Sequence, residues 1–105
     1  GDMSARSLLG RYGLPRDLDI AELTAQGAVG DLLGQFIDKD GKPLDHPINR
    51  RAIALPLEAL TRIPTAILAS GGSNKAAVIA AALKGKLASV LITDEQAAAA
   101  VLALH

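Results

Sequence analysis

Two unbroken apolar runs, Thr65–Ala69 and Ala88–Ile92, constrain this chain more than any other feature. Each is short enough for a strand and too short for a membrane span. A strand that is apolar at every position, rather than at alternate ones, is expected to be buried on both faces. Between the runs lies Ser73–Leu83, an alanine-rich stretch with a serine at its start and Gly85 just past its end. That is the grammar of a helix. Strand, helix and strand in this order predict a βαβ unit with a parallel sheet and a right-handed crossover. Alanine on the helix lets it lie close against the sheet.

The pattern extends to both sides. Ala52–Leu55 predicts an earlier strand, and Pro56 opens a helix over Leu57–Arg62 that Pro64 closes. Thr93 with Gln96 forms a capping box for a last helix through about Leu104. The second half therefore predicts a β-α-β-α-β-α series. The first half is less regular. Ser4 caps a short helix over Ala5–Tyr12, with Gly13 as its stop. Asp19 and Glu22 open a helix of about two turns that ends near Gly27. Asp31–Ile37 is expected to be extended, and the Asp-Gly of Lys39-Asp40-Gly41-Lys42 marks a hairpin turn. Pro43–Pro47 is then the return arm or a loop. The fold class is α/β, with Rossmann-like β-α-β-α layers, a parallel sheet and an antiparallel hairpin.

Composition narrows the function. The 105 residues carry 11 basic and 11 acidic side chains, which excludes a binder of nucleic acid that relies on a basic surface. There is no cysteine, so there are no disulfides, zinc ribbons or thiol nucleophiles, and a reducing compartment fits. Only Tyr12 and Phe36 are aromatic, so the core is aliphatic. No leader or membrane span is expected. Gly1-Asp2-Met3 reads as a cloning remnant, which makes residues 1–105 one excised domain portion.

Three constellations could carry chemistry. Ser70-Gly71-Gly72-Ser73-Asn74-Lys75 ends a parallel strand and opens a helix, the edge where open α/β sheets bind ligands. Free N–H groups and the positive helix end favour an anion there, and glycine admits it closely. The competing reading is an ordinary βα turn with a cap. The spacing matches neither a P-loop nor a dinucleotide fingerprint. Thr93-Asp94-Glu95 ends the next strand, where Asp94 would accept from a sugar hydroxyl; the alternative is a cap and two charges on the helix dipole. Asn49-Arg50-Arg51 precedes the first strand and offers guanidinium groups to a phosphate, or is simply solvated surface. Asp38-Lys39-Asp40-Gly41 imitates an EF-hand but fails its spacing, since Phe36 would be the first ligand and Pro47 the twelfth. His46 and His105 suggest no metal site, and no catalytic triad or carboxylate pair stands out. Lys75 would serve as a Schiff-base amine only if dehydrated. No cofactor is expected.

Taken in order, several segments resemble the sugar-binding domain of SorC-type bacterial transcriptional regulators, relatives of the deoxyribonucleoside (DeoR-type) regulators. They are Gly27-Ala28-Val29-Gly30-Asp31, Asp38 through Gly41, and His46-Pro47-Ile48-Asn49 with Arg51. The series continues with Ile63-Pro64, Gly71-Gly72 with Lys75, Ala81-Ala82-Leu83-Lys84-Gly85, and Val90-Leu91-Ile92-Thr93-Asp94-Glu95. The resemblance covers roughly residues 20 to 104, the C-terminal portion of such a domain. It implies a fold similar to ribose-5-phosphate isomerase and CoA-transferase-like (NagB/RpiA) proteins. It also implies a cytoplasmic, non-enzymatic effector sensor that binds a sugar or sugar phosphate and oligomerises. DNA would be bound only through a helix-turn-helix domain outside this chain. Carried over by position, the ligand-binding residues are Gly30, Asp31, Arg51, Gly71, Gly72, Ser73, Lys75 and Asp94. The chain departs from the family pattern at Arg50, Ala54, Ser73 and Asn74, and the extra cation at Arg50 suits a phosphorylated effector. Two other readings are a sugar-phosphate isomerase-like enzyme on the same fold and an oligomerisation subdomain without ligand affinity.

Overall fold

The structure, a computed structural model, describes residues 1–3, 20–51 and 55–104. The helix expected over Ala5–Tyr12, the Asp19 cap and most of the Ala52–Leu55 strand fall outside these residues; Leu55 itself lies in no strand. The described order is α1 (Ile20–Ala25), β1 (Gly30–Leu32), β2 (Gln35–Ile37), α2 (Pro47–Arg51) and a 3-10 helix at Leu57–Arg62. Then come β3 (Ile67–Ala69), a 3-10 turn at Ser73–Lys75, α3 (Ala76–Lys84), β4 (Val90–Ile92) and α4 (Glu95–Leu102).

The βαβ unit forms as its apolar runs dictate. β3 and β4 pair in parallel, with Ile67 opposite Val90 and Ala69 opposite Ile92, and α3 makes the crossover. The α/β class with a parallel sheet and a separate antiparallel hairpin is therefore present. α3 is buried on two sides. Val78, Ala81 and Ala82 pack with Ile37, Leu57 and Leu87 toward the hairpin. Ala76 and Ile79 pack with Ala97 and Val101 of α4. Residues three and four apart share a helix face, so one short helix serves both clusters.

The expectation of strands buried on both faces is corrected. Leu68 and Leu91 pack beneath the helices, but Ile67 and Ile92 are 61% and 59% exposed, and Val90 is exposed too. Both α3 and α4 lie on the Leu68/Leu91 side, so the described residues leave the opposite apolar face bare.

The hairpin also differs from its sequence reading. Asp31–Ile37 is not one extended segment. β1 and β2 are antiparallel partners, with Gly30 opposite Ile37, and they turn at Leu33-Gly34. Both turn residues have positive φ, 52° and 79°, the signature of a two-residue hairpin loop. The Asp-Gly turn comes next. The Asp38 carboxylate accepts from the Asp40 and Lys42 N–H groups at 2.9 and 3.0 Å, and Ile37 bridges to Pro43 on the return arm.

That turn docks on the end of α3 through two glycines. A Cβ on Gly41 would lie 2.4 Å from the Ala81 carbonyl oxygen, and one on Gly85 would lie 2.9 Å from the Gly41 Cα. Gly85 therefore serves contact. The left-handed residue beyond α3 is Lys86, at φ 59°. Lys84 Nζ and Asp40 Oδ1, 2.6 Å apart, close the same junction at the surface.

Candidate functional site

The glycine-rich segment lies where the sequence places it, at the carboxyl end of β3. Ser70 still donates its N–H to the Ile92 carbonyl at 3.0 Å, as if the strand continued. Gly72 then turns the chain at φ 93°, ψ 137°. Ser73 is not the helix cap it was expected to be. It begins a 3-10 turn with Gly72 at its N-cap position, and α3 starts only after Lys75. The tighter turn carries the Lys75 side chain back toward the hairpin.

Lys75 Nζ meets Asp2 Oδ1 at 2.7 Å, and Asp2 is only 8% exposed. Asp2 pairs with Gly30 through an antiparallel bridge, so residues 1–3 lie along the edge of the hairpin. The Gly1 amino group stands 2.6 Å from the Asp31 carbonyl oxygen and 2.9 Å from Asp31 Oδ1. Asp31 Oδ1 is buried and accepts no hydrogen bond within the described residues, only this charge contact.

A hollow of about 100 Å³ opens between these groups. Asp31, Ser70 and Lys75 supply its polar lining, while Leu68, Val78 and Ala82 supply apolar wall. At roughly 30 Å³ per water, it holds about three waters or one compact anionic group. Two larger hollows, of about 580 and 370 Å³, are chiefly apolar. The first lies beside α3 near Lys39, Lys84 and Leu104, and the second along β3 between Leu33, Leu60 and Leu87. Neither collects the polar groups a sugar needs.

Asp94 stands beside the glycine turn. Its Oδ1 accepts from the Ala97 N–H and its Oδ2 from the Gly72 N–H, both at 2.7 Å. These backbone bonds, Ala97 first and Gly72 second, hold its carboxyl below the usual carboxylate range. The expected Thr93–Gln96 box is thus corrected by one residue. Asp94 caps α4, and the Thr93 hydroxyl is buried without a hydrogen-bond partner among the described residues.

The expected site residues therefore separate. Asp31 and Lys75 come together at the hollow with Ser70. Gly71, Gly72 and Asp94 form an adjoining cluster. Ser73 is exposed at the start of the 3-10 turn. Gly30 is buried by packing, since a Cβ there would lie 2.7 Å from Val78 Cβ. Arg51 ends α2, and its side chain is outside the described residues.

Its neighbours are plain. Asn49 clamps β2, accepting from the Phe36 N–H at 2.8 Å and donating to the Phe36 and Leu44 carbonyls at 2.9 Å. Arg50 pairs with Asp45 at the surface. Sequence reasoning missed Asp2 and Ser70. Asp2 meets Lys75 across 73 positions, and no local pattern signals a contact of that range. Ser70 belongs to the glycine-rich segment in sequence, but its place on the hollow depends on how β3 ends. Among the described residues, no cluster of His, Cys, Asp and Glu is arranged to hold a metal.

Comparison with known proteins shows the family. Residues 1–103 match the Sugar-bind family model, a sugar-binding domain. The transcriptional regulator LsrR of Escherichia coli O9:H4 (strain HS) is 49% identical over 78 residues, covering 73% of this chain and 25% of LsrR. Among solved structures, a DeoR family transcriptional regulator from Listeria monocytogenes superposes with a TM-score of 0.86 at 31% identity. That match covers 95% of this chain and 40% of the other. The sorbitol operon regulator SorC from Klebsiella pneumoniae shares the fold at a TM-score of 0.75 and 22% identity, over 97% of this chain and 32% of SorC. The chain spans about a quarter of the length of the LsrR proteins it matches. It belongs to the sugar-binding domain family found in SorC- and DeoR-type transcriptional regulators.

Proposed function

We propose that this chain is part of the effector-sensing domain of a bacterial transcriptional regulator and binds a sugar or sugar phosphate. The carrying observation is the hollow beside the end of β3, with Lys75, Ser70 and Asp31 among its lining residues. A carboxylate and a hydroxyl suit sugar hydroxyls, and an ammonium suits a phosphate. Residues 1–3 lie beside this site, with Asp2 buried and paired with Gly30 and Lys75. Gly71, Gly72, Ser73 and Asp94 shape the rim, Gly30 brings β1 close to α3, and Arg51 is the outlying cationic candidate.

The role is sensing without turnover, as the relatives' regulator names suggest. DNA binding belongs to a helix-turn-helix domain elsewhere in the parent protein, which acts in the cytoplasm. No helix among the described residues is long and apolar enough to cross a membrane. The bare face of β3 and β4 gives the parent protein an apolar surface for the rest of its domain or for a second copy. The layered fold of ribose-5-phosphate isomerase and CoA-transferase-like proteins is the architecture this portion would complete.

Titration calorimetry with a panel of sugars and sugar phosphates tests the reading. A phosphorylated sugar should bind, and Lys75→Gln should weaken it about tenfold or more, the worth of one hydrogen bond to a charged group. The unphosphorylated sugar should lose less. Failure of every compound would sink the proposal, and conversion of any of them would establish an isomerase-like enzyme instead.

A further inference from the structure

Asp94 was expected to touch a sugar, yet both of its carboxylate oxygens are already engaged by backbone N–H groups of two different elements. Oδ1 binds the Ala97 N–H inside α4, which is ordinary capping. Oδ2 reaches 22 residues back along the chain to the Gly72 N–H. The two glycines fit this second contact. A Cβ on Gly71 would lie 2.7 Å from Asp94 Oδ2, so the carboxylate can approach only because position 71 has no side chain. Gly72 takes the positive φ that continues the turn away from the strand, and its N–H bonds that same oxygen. Three residues later stands Lys75, whose own N–H donates to the Gly72 carbonyl at 3.0 Å. One carboxylate thus joins the end of β3, the start of α4 and the turn that aims Lys75.

We propose that Asp94 is a positioning residue: it latches the Gly71–Gly72 turn to the start of α4 and so holds Lys75 in place for an anionic ligand. The Gly71-Gly72 pair serves the latch, and the ligand meets Lys75. The binding part of this inference rests on the sugar-phosphate reading above. The latch itself does not.

Capping and latching separate chemically. Asn is as good a helix cap as Asp, and its single carbonyl oxygen keeps the Ala97 bond. Its amide nitrogen donates, so it cannot accept from Gly72. Asp94→Asn therefore removes the latch and leaves α4 capped. Gly71→Ala breaks the latch from the other side, because the new methyl meets the movable end of the Asp94 side chain rather than backbone.

The experiment is amide NMR of the full chain across pH 2.5 to 7, together with calorimetric titration of ribose 5-phosphate and inorganic phosphate. In the unmodified protein the Gly72 amide shift should follow the titration of the Asp94 carboxyl. In Asp94→Asn that dependence should vanish, the α4 amides should stay helical, and affinity for the phosphorylated probe should fall about tenfold. Gly71→Ala should lose the same affinity. A Gly72 amide that ignores the carboxyl in the unmodified protein overturns the latch. Loss of the Gly72 signature with unchanged affinity in both variants overturns the positioning role. If neither probe binds the unmodified protein, the sugar-phosphate reading and the positioning role fail, and the amide titration alone decides whether the latch exists.

Discussion

Two glycines separate two costs that usually arrive together. Gly34 and Gly41 have nearly the same positive φ, 79° and 80°. A Cβ at Gly34 would meet nothing within 4 Å, whereas at Gly41 it would lie 2.4 Å from the Ala81 carbonyl and 2.9 Å from Gly85 Cα. Gly34→Ala thus carries only left-handed strain, about 1 kcal/mol. Gly41→Ala carries the same strain and must also move the Asp38–Lys42 turn about 1 Å off α3 before the contact is tolerable. Overpacking of that kind adds about 2 kcal/mol. The expected losses are then about 1 and about 3 kcal/mol. For a domain of this size they lower Tm by about 5 and about 15 °C. Thermal and urea unfolding followed by circular dichroism measures both. The urea m-value should stay constant, so that the midpoint shift reports stability rather than a change in the surface exposed. Equal losses from the two substitutions would refute the claim that the Gly41–Gly85 contact, rather than backbone freedom, holds the turn on α3.

Two other outcomes follow from the hydrogen bonds. Asn49→Ala should cost about 2 kcal/mol, because it leaves the Phe36 N–H without its acceptor and takes one of two donors from each of the Phe36 and Leu44 carbonyls. Arg50→Ala, beside it, should stay within about 0.5 kcal/mol, since its partner Asp45 is almost fully solvated; equal losses at the two positions would mean the clamp is idle. The second outcome concerns acid. The Asp94 and Asp40 carboxyls are held below their ordinary value of 3.8, the first by backbone N–H groups and the second by Lys84. A carboxyl depressed in the folded state contributes stability above its unfolded value and loses it as pH falls through the folded one. Unfolding midpoints should therefore drop below about pH 4. The double substitution of both carboxylates by their amides should flatten that drop, and an unchanged acid limb would rule these groups out as its cause.

The parts of the fold that were legible in sequence rest on local signals. β3, α3 and β4 are specified by apolar runs, an alanine-rich stretch and the glycines between them. What escaped depended on distance or on ambiguity. Leu33 takes a positive φ of 52°, and nothing about a leucine announces that. So the β1–β2 turn reads as uninterrupted extension. Thr93 and Asp94 are both competent caps, and the choice falls to Asp94, which also finds the Gly72 N–H 22 positions away. Unbroken apolar strands imply burial on both sheet faces, but an apolar strand states what it prefers to touch and does not provide the neighbour. Ile67 and Ile92 show the difference.

The segments that carry the family resemblance do two kinds of work, and the structure tells them apart. Asp38 to Gly41 and Ala81 to Gly85 meet one another, glycine against glycine with Asp40 and Lys84 closing the surface. Asn49 is fully used in holding β2. None of these needs a ligand to explain its residue type. Asp31 and Lys75 are different. Asp31 keeps a buried oxygen whose only described contact is the Gly1 amino group, and Lys75 leans on a buried carboxylate at the mouth of a hollow. Burying a carboxylate oxygen without a hydrogen bond is costly unless something else repays it. The Gly1 amino group, 2.9 Å away, offsets that cost at Oδ1. The frame residues account for why the chain keeps this shape, and the proposed ligand role falls to Asp31 and Lys75, the expected site residues that this frame leaves beside the hollow.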